Sequence, residues 1–221
     1  ELIPEKLYDF ELGYRKSRMK LAVTANLYYM QYKDHLVQTG KLNEVGDAIL
    51  ENVDNSFRRG LEMTVEYRPV PEIEWSGNMT LSQNKIKNYV EYATDYDDDW
   101  NEIQKVTELG TTDISYSPSF VASHKIMVHP TKGLSLGIVS KLVGKQYFDN
   151  TSSEDRSIDR YSVHDFVSRY LWTMDESSSL DFQFIINNIF DKNYISNAYG
   201  GNWYEQGTEY SWKYFFPQAG I

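Results

Sequence analysis

Along several stretches of the chain, apolar and polar residues alternate one for one. Tyr8, Phe10, Leu12 and Tyr14 are interleaved with Asp9, Glu11, Gly13 and Arg15. Met19, Leu21, Val23, Ala25 and Leu27 alternate with Lys20, Ala22, Thr24 and Asn26. The same beat runs through Leu61, Met63, Val65 and Tyr67, and through Ile73, Trp75, Gly77, Met79 and Leu81. Successive side chains on a β-strand point to opposite faces, so each run has one apolar and one polar face. The runs are about 10 to 15 residues long. A soluble strand is usually nearer 5 or 6, whereas a strand tilted through a bilayer needs about 9 to 11.

The connections carry a second regularity. Short turns are expected around Lys16-Ser17, Arg68–Pro71, Pro130–Gly133 and Asp175–Ser178. Between them lie long connections, about Asp34 to Glu51, Val90 to Tyr116, Asp149 to Asp159 and Asp191 to Glu209. Short periplasmic turns alternating with long extracellular loops are the habit of outer-membrane barrels. Nine strands are expected, the ninth about Tyr210 to Ile221. Bacterial single-chain barrels close with an even number, so the chain is expected not to close alone. Lys125, Lys141 and Lys145 disturb the later strands, where bulges or strands reaching beyond the bilayer are the available explanations. The fold class expected is all-β: an antiparallel transmembrane β-barrel segment, forming one domain over residues 1–221.

Composition sharpens this. Aromatic residues make up 15% of the 221 residues, with 18 Tyr. Side chains with an apolar body and a polar tip suit membrane–water interfaces and carbohydrate-binding faces. The absence of Cys excludes a disulfide scaffold, a thiolate metal site and a Cys nucleophile. The net charge of −10 sets aside a nucleic-acid partner. No run approaches the length of a membrane-spanning helix, and residues 1–5 lack the pattern of a signal peptide.

Four segments resemble one family. Pro4 to Tyr14, Arg58-Arg-Gly-Leu-Glu62, Asn187-Asn-Ile-Phe-Asp-Lys-Asn-Tyr194 and Phe216-Pro-Gln-Ala-Gly220 are similar to barrel segments of TonB-dependent outer-membrane receptors, in that family's order. The third is the most specific, with Ile189 in place of the family's Leu. The resemblance implies the C-terminal part of a barrel in the Gram-negative outer membrane, with its final strand, plug and earlier strands elsewhere. It implies active uptake of a scarce ligand of the siderophore, cobalamin or oligosaccharide class. The implied partners are outer-membrane lipid, the TonB complex through an N-terminal region, the ligand itself and, for a glycan importer, a surface lipoprotein. No enzymatic activity and no cofactor are implied.

Candidate ligand contacts fall in the long connections. Asp97, Asp98, Asp99 and Trp100 lie in an acidic cluster that begins at Asp95, rich enough in carboxylates for a cation or a polar ligand. The plain alternative is a solvated loop. Trp203 and Tyr204, beside Gly200-Gly201, are expected on a loop, where rings can stack on sugars or chelates, or pack on a neighbour. Tyr8, Tyr29, Trp75, Tyr170 and Trp172 are expected in the membrane-interface belt. The four His (His35, His124, His129 and His164) show no metal-ligand spacing, and no catalytic motif is present. Two rival classes remain open to the sequence: a soluble all-β carbohydrate-binding module, and a small complete outer-membrane barrel acting as an enzyme.

Overall fold

A computed structural model describes residues 3–45, 47–218 and 220. Among them are thirteen strands: β1 (Lys6–Arg18), β2 (Leu21–Leu42), β3 (Ala48–Val70), β4 (Ile73–Tyr96), β5 (Glu102–Asp113), β6 (Phe120–Thr131), β7 (Leu134–Val143), β8 (Gln146–Tyr147), β9 (Ser157–Ile158), β10 (Tyr161–Thr173), β11 (Ser179–Ile186), β12 (Ile195–Glu205) and β13 (Thr208–Pro217). A wall is formed in the order β1-β2-β3-β4-β6-β7-β10-β11, every neighbour antiparallel, with β1 and β11 at its two edges. The arc does not close. Its strands meet in turns at Met19-Lys20, Pro71-Glu72, Lys132-Gly133 and the stretch before Ser179, all at one end.

Register converts the alternation into two continuous faces. Leu12, Leu27, Leu61, Leu81 and Phe120 are paired neighbour to neighbour across five strands. The next row of opposite parity, Arg15, Thr24, Thr64, Asn78, Ser123, Lys141 and Val163, is largely polar. Lys125 pairs with Val139 on that polar face, so Lys125 and Lys141 interrupt nothing and no bulge is needed there. Lys145 lies beyond the end of β7. On β4 the apolar face runs from Ile73 to Leu81. Eight steps at about 3.3 Å make about 26 Å along the strand, which suits a tilted crossing of an apolar band about 25 Å tall.

Nine expected strands become thirteen. Much of what the alternation leaves as long loops is strand: β2 and β3 continue to a turn at Asn43–Asp47, and β4 and β5 to a turn at Asp97–Asn101. The first short turn sits at Met19-Lys20 rather than Lys16-Ser17, because β1 pairs through Arg18. The expected ninth wall strand is instead β13, which pairs with β12 and has no partner in the wall. Ala219 and Ile221, at its expected end, lie outside the described residues.

The alternation inverts above the apolar band. On β3 Asp54 and Asn55 are both exposed, and on β4 so are Lys87 and Asn88. Asp34 and Asn88 adopt left-handed backbone, φ 56° and 53°. Below this level the inward side chains include Ser56, Asn84 and Ile86; above it they include His35, Val37, Val53 and Tyr89. β4 also changes partner here. Ile73 to Leu81 pair with β6, whereas Lys85 to Tyr96 pair with β5. The two apolar cores lie in the upper region or beside it: Val37, Val53, Ile86, Tyr89 and Ile114 in one, Phe148, Ile158 and Ala198 in the other.

Candidate functional site

The end opposite the short turns is a packed assembly of hairpins. Its centre is Arg156, in a 3-10 turn at Glu154–Arg156. Arg156 Nη1 donates to Glu91 Oε1 of β4 at 2.6 Å and to Asp149 Oδ2 at 2.9 Å; Nη2 donates to Glu209 Oε1 of β13 at 2.8 Å. Burial disfavours its charge, but the hydrogen bond it donates to Glu91 and the carboxylate of Asp149 outweigh this and hold the guanidinium protonated. Three chain segments far apart in sequence thus meet on one cation.

Around it, side chains close what the backbone leaves open. The buried Asn150 accepts from the Ser115 amide at 2.9 Å and donates to the Gln38 carbonyl at 2.8 Å, joining the β7–β10 connection to β2. The Tyr116 hydroxyl donates to the Ala198 carbonyl of β12. Tyr89 donates to Glu51 at 2.9 Å, and burial, then the Glu51 charge, push its phenol up. These residues carry no sequence signal: each is a lone polar group with partners 35 to 112 positions away, and only the Arg156–Asp149 pair is local, seven positions apart.

The hairpin β12–β13 lies across this assembly, and β12 runs parallel to the top of β4 through Tyr204–Asp95 and Glu205–Tyr96. Its turn is tied there by Gln206 N to Tyr96 O, 2.9 Å, and Gly207 N to Asp95 Oδ1, 3.3 Å. One face points inward through Ala198, Gly200, Tyr204 and Glu209. The other is an aromatic ladder. Trp203 pairs with Tyr210, Gly201 with Trp212, Tyr199 with Tyr214, and Asn197 with Phe216. Neighbouring centroids lie 5.4 to 5.7 Å apart, the range of favourable aromatic pairs. A Cβ on Gly201 would press on the Trp212 indole at 3.2 Å, so glycine makes room for that ring.

The expected contact residues therefore separate. Trp203 belongs to the ladder; Tyr204, next to it on a strand and not a loop, faces the other way under Lys105, whose ammonium is 3.4 Å from the ring centroid. Asp97 spends its carboxylate on the turn itself: it accepts from the amides of Asp99 and Asn101, 2.9 and 2.8 Å, and from the Asn101 side chain. The Asn101 amide, then its backbone N–H, hold Asp97 below its ordinary pKa. Asp98 and Asp99 lie exposed in this turn with Trp100. Among the described residues no group of three or more His, Cys, Asp or Glu could hold a metal ion. The expected belt residues Tyr8, Tyr29, Trp75, Tyr170 and Trp172 all sit on the apolar face, the first two toward the mouth and the other three toward the short turns.

Two motifs gain physical reasons. In Arg58–Glu62, any side chain on Gly60 would collide with the Leu81 carbonyl and meet the Tyr28 hydroxyl at 2.7 Å, because Tyr28 lies across the glycine. In Asn187–Tyr194, Asn188 is buried and left-handed. It receives the Lys192 amide at 2.9 Å, while its own amide donates to Asp165 of β10 at 2.7 Å. The segment is a turn that caps β11 against β10.

A family model described as TonB dependent receptor-like, beta-barrel matches residues 1–189. The chain belongs to this family. Among solved structures it is similar to the siderophore receptor PiuA of Acinetobacter baumannii, at TM-score 0.67 and 18% identity, over 97% of this chain and 27% of that one. The ferric yersiniabactin uptake receptor FyuA of Yersinia pestis gives 0.63 and 19%, over 95% and 28%. The copper transporter OprC gives 0.65 and 16%, over 100% and 30%. Comparison with curated protein sequences gives no match. These identities show a shared fold, and the chain spans less than a third of each receptor. The TonB-dependent barrel replaces both the soluble module and the small enzyme barrel as the class of this chain.

Proposed function

We propose that the chain is the C-terminal wall and part of the extracellular mouth of an outer-membrane receptor for TonB-dependent uptake of a small ligand. In this reading residues 1–221 are part of a single barrel domain. The plug and the segment that engages the TonB complex lie in other parts of the receptor. One observation carries the reading: an eight-stranded sequential meander with one face mainly apolar, interrupted at His124, Ser140 and His164, the opposite face largely polar, and its short turns at one end. Such a face is stable against lipid, and the polar face suits a water-filled lumen. The similar structures are a siderophore receptor, a ferric yersiniabactin uptake receptor and a copper transporter, which supports uptake without selecting a ligand.

Ligand contact is assigned to the ladder at Trp203 and to the exposed turn Asp98, Asp99 and Trp100. Tyr204 and Asp97 act behind them, by holding the hairpin and the turn. The test is growth or uptake by a Gram-negative host carrying the intact receptor, with and without TonB. The receptor is expected in the outer-membrane fraction, with uptake lost in the TonB-deficient strain. A receptor found in the soluble fraction would overturn the reading.

A further inference from the structure

The apolar face of the wall is crossed by a polar row. Gly77 of β4, His124 of β6, Ser140 of β7 and His164 of β10 are paired neighbour to neighbour. His124 lies four residues from Phe120 and four from Val128, about 13 Å along the strand from either end of the apolar run. In the outer-membrane reading, on which this inference rests, hydrocarbon surrounds it at that depth.

His124 has unmet hydrogen-bonding capacity. Its Nδ1 is enclosed and has no partner among the described residues. A proton there would be a buried donor without an acceptor, so the ring carries its proton on Nε2. That Nε2–H is a donor which nothing in the wall accepts. His164 is held differently. Its Nδ1 lies 2.8 Å from the Oγ of Ser140, itself only 2% exposed, and Phe190 meets its ring edge-on at 5.2 Å. With Nδ1–H donating to Ser140, the Nε2 of His164 is a bare acceptor. The row thus offers one free donor and one free acceptor, two strands or about 10 Å apart. Acyl chains can satisfy neither.

The surface here is also hollow. A cavity of about 410 Å³ opens between Met63, Val65, Trp75, Met79, Ala122 and His124. Gly77 leaves the room for it: a Cβ there would meet Trp75 Cζ2 at 3.3 Å and His124 Cβ at 3.5 Å. The outward positions of β4 from Ile73 to Leu81, of β6 from Phe120 to Val128 and of β7 from Leu136 to Leu142 carry no Asp, Glu, Lys or Arg. Nothing there repels a like surface.

We propose that this row is the contact by which two copies of the receptor associate within the membrane. A second copy is held at the same depth by the same apolar band, so its donor and acceptor arrive at the right level by construction. A two-fold axis along the bilayer normal, passing near Ser140, brings His124 of each copy to His164 of the other and satisfies both donors and both acceptors at once. The small side chains of Gly77, Ala122 and Ser140 let the two walls approach closely. An unrelated partner would need groups of the opposite kind at that same depth.

The experiment uses the intact receptor in outer membranes, on a background free of other cysteines; residues 1–221 contain none. Ile138→Cys, on β7 beside the axis, is expected to give a disulfide-linked dimer with copper–phenanthroline. Leu27→Cys, on β2 and more exposed at 53% against 39%, is expected to stay monomeric. A hydrogen bond in the membrane is worth about threefold to tenfold in affinity and the interface makes two, so His124→Leu should raise the dimer dissociation constant in lipid vesicles about tenfold or more. His124→Gln, which keeps a donor, should retain most of the association. The anomalous gel mobility of the unheated barrel verifies that each variant is folded. Equal cross-linking at Leu27, unchanged association in His124→Leu, or a cross-link to a different protein in place of the dimer would each overturn the proposal. A receptor that takes up its ligand from the outer membrane as a monomer sinks the dimer alone, whereas one found in the soluble fraction sinks the uptake reading with it.

Discussion

Arg156 brings one guanidinium to carboxylates from β4, β13 and the segment before the 3-10 turn, with only 9% of its side chain exposed. Glu91 and Asp149 are nearly as enclosed, at 14% and 9%, whereas Glu209 is 47% exposed. Removing the cation leaves enclosed carboxylates unpaired; losing one half-exposed partner does not. Arg156→Met should therefore destabilise the mouth by about 3 kcal/mol or more, and Glu209→Gln by under about 1 kcal/mol. Hydrogen exchange of β12–β13 is the measurement: strong deprotection is expected in the first variant and little in the second. Equal protection in both would refute the hub. No sequence pattern points to Arg156, because two of its three partners, Glu91 and Glu209, are brought to it by tertiary packing. The ladder was different. Tyr199, Gly201 and Trp203, like Tyr210, Trp212, Tyr214 and Phe216, alternate openly in the sequence. Read as a loop, residues 191–209 hide that beat, and with it the fact that Trp203 and Tyr204, as neighbours on a strand, face apart.

Among elements, the wall was the most legible part, since lipid on one side and water on the other enforce strict alternation. The extensions of β2, β3 and β4 were not, because the faces swap at Asp34, at Asp54-Asn55 and at Lys87-Asn88 and the running alternation breaks there. Above that level neither face keeps a single polarity, so polarity no longer reports orientation. Gly60 shows how tightly the wall itself is made. Its missing side chain is replaced by Tyr28 from the neighbouring strand, a cross-strand cover for a bare glycine. Gly60→Val must push apart β2, β3 and β4, with an overpacking cost of about 1–3 kcal/mol. A lower denaturant midpoint for the intact receptor is expected, and an unchanged midpoint would show that Tyr28 can move aside.

Among the described residues the wall is an arc whose two edge strands are β1 and β11. Backbone groups on such edges have no partner in hydrocarbon, at several kcal/mol for each unsatisfied group. The 221 residues expressed alone should consequently fail to insert into lipid vesicles as a protease-resistant, heat-modifiable barrel, whereas the intact receptor should succeed; a compact inserted form of the short chain would contradict this. The change of partner along β4 has another consequence. From Ile73 to Leu81 the strand is bonded on both sides by wall strands, at Lys85 and Ile86 by β3 and β5, and from Tyr89 to Tyr96 by β5, with β12 beside its tip. The register of β4 with β6 ends at Leu81, below the hairpin of β4 and β5, and its register with β3 ends at Ile86. The tip of that hairpin, from Tyr92 to Val106, can therefore change length without shifting the register of the membrane-spanning strands beneath it.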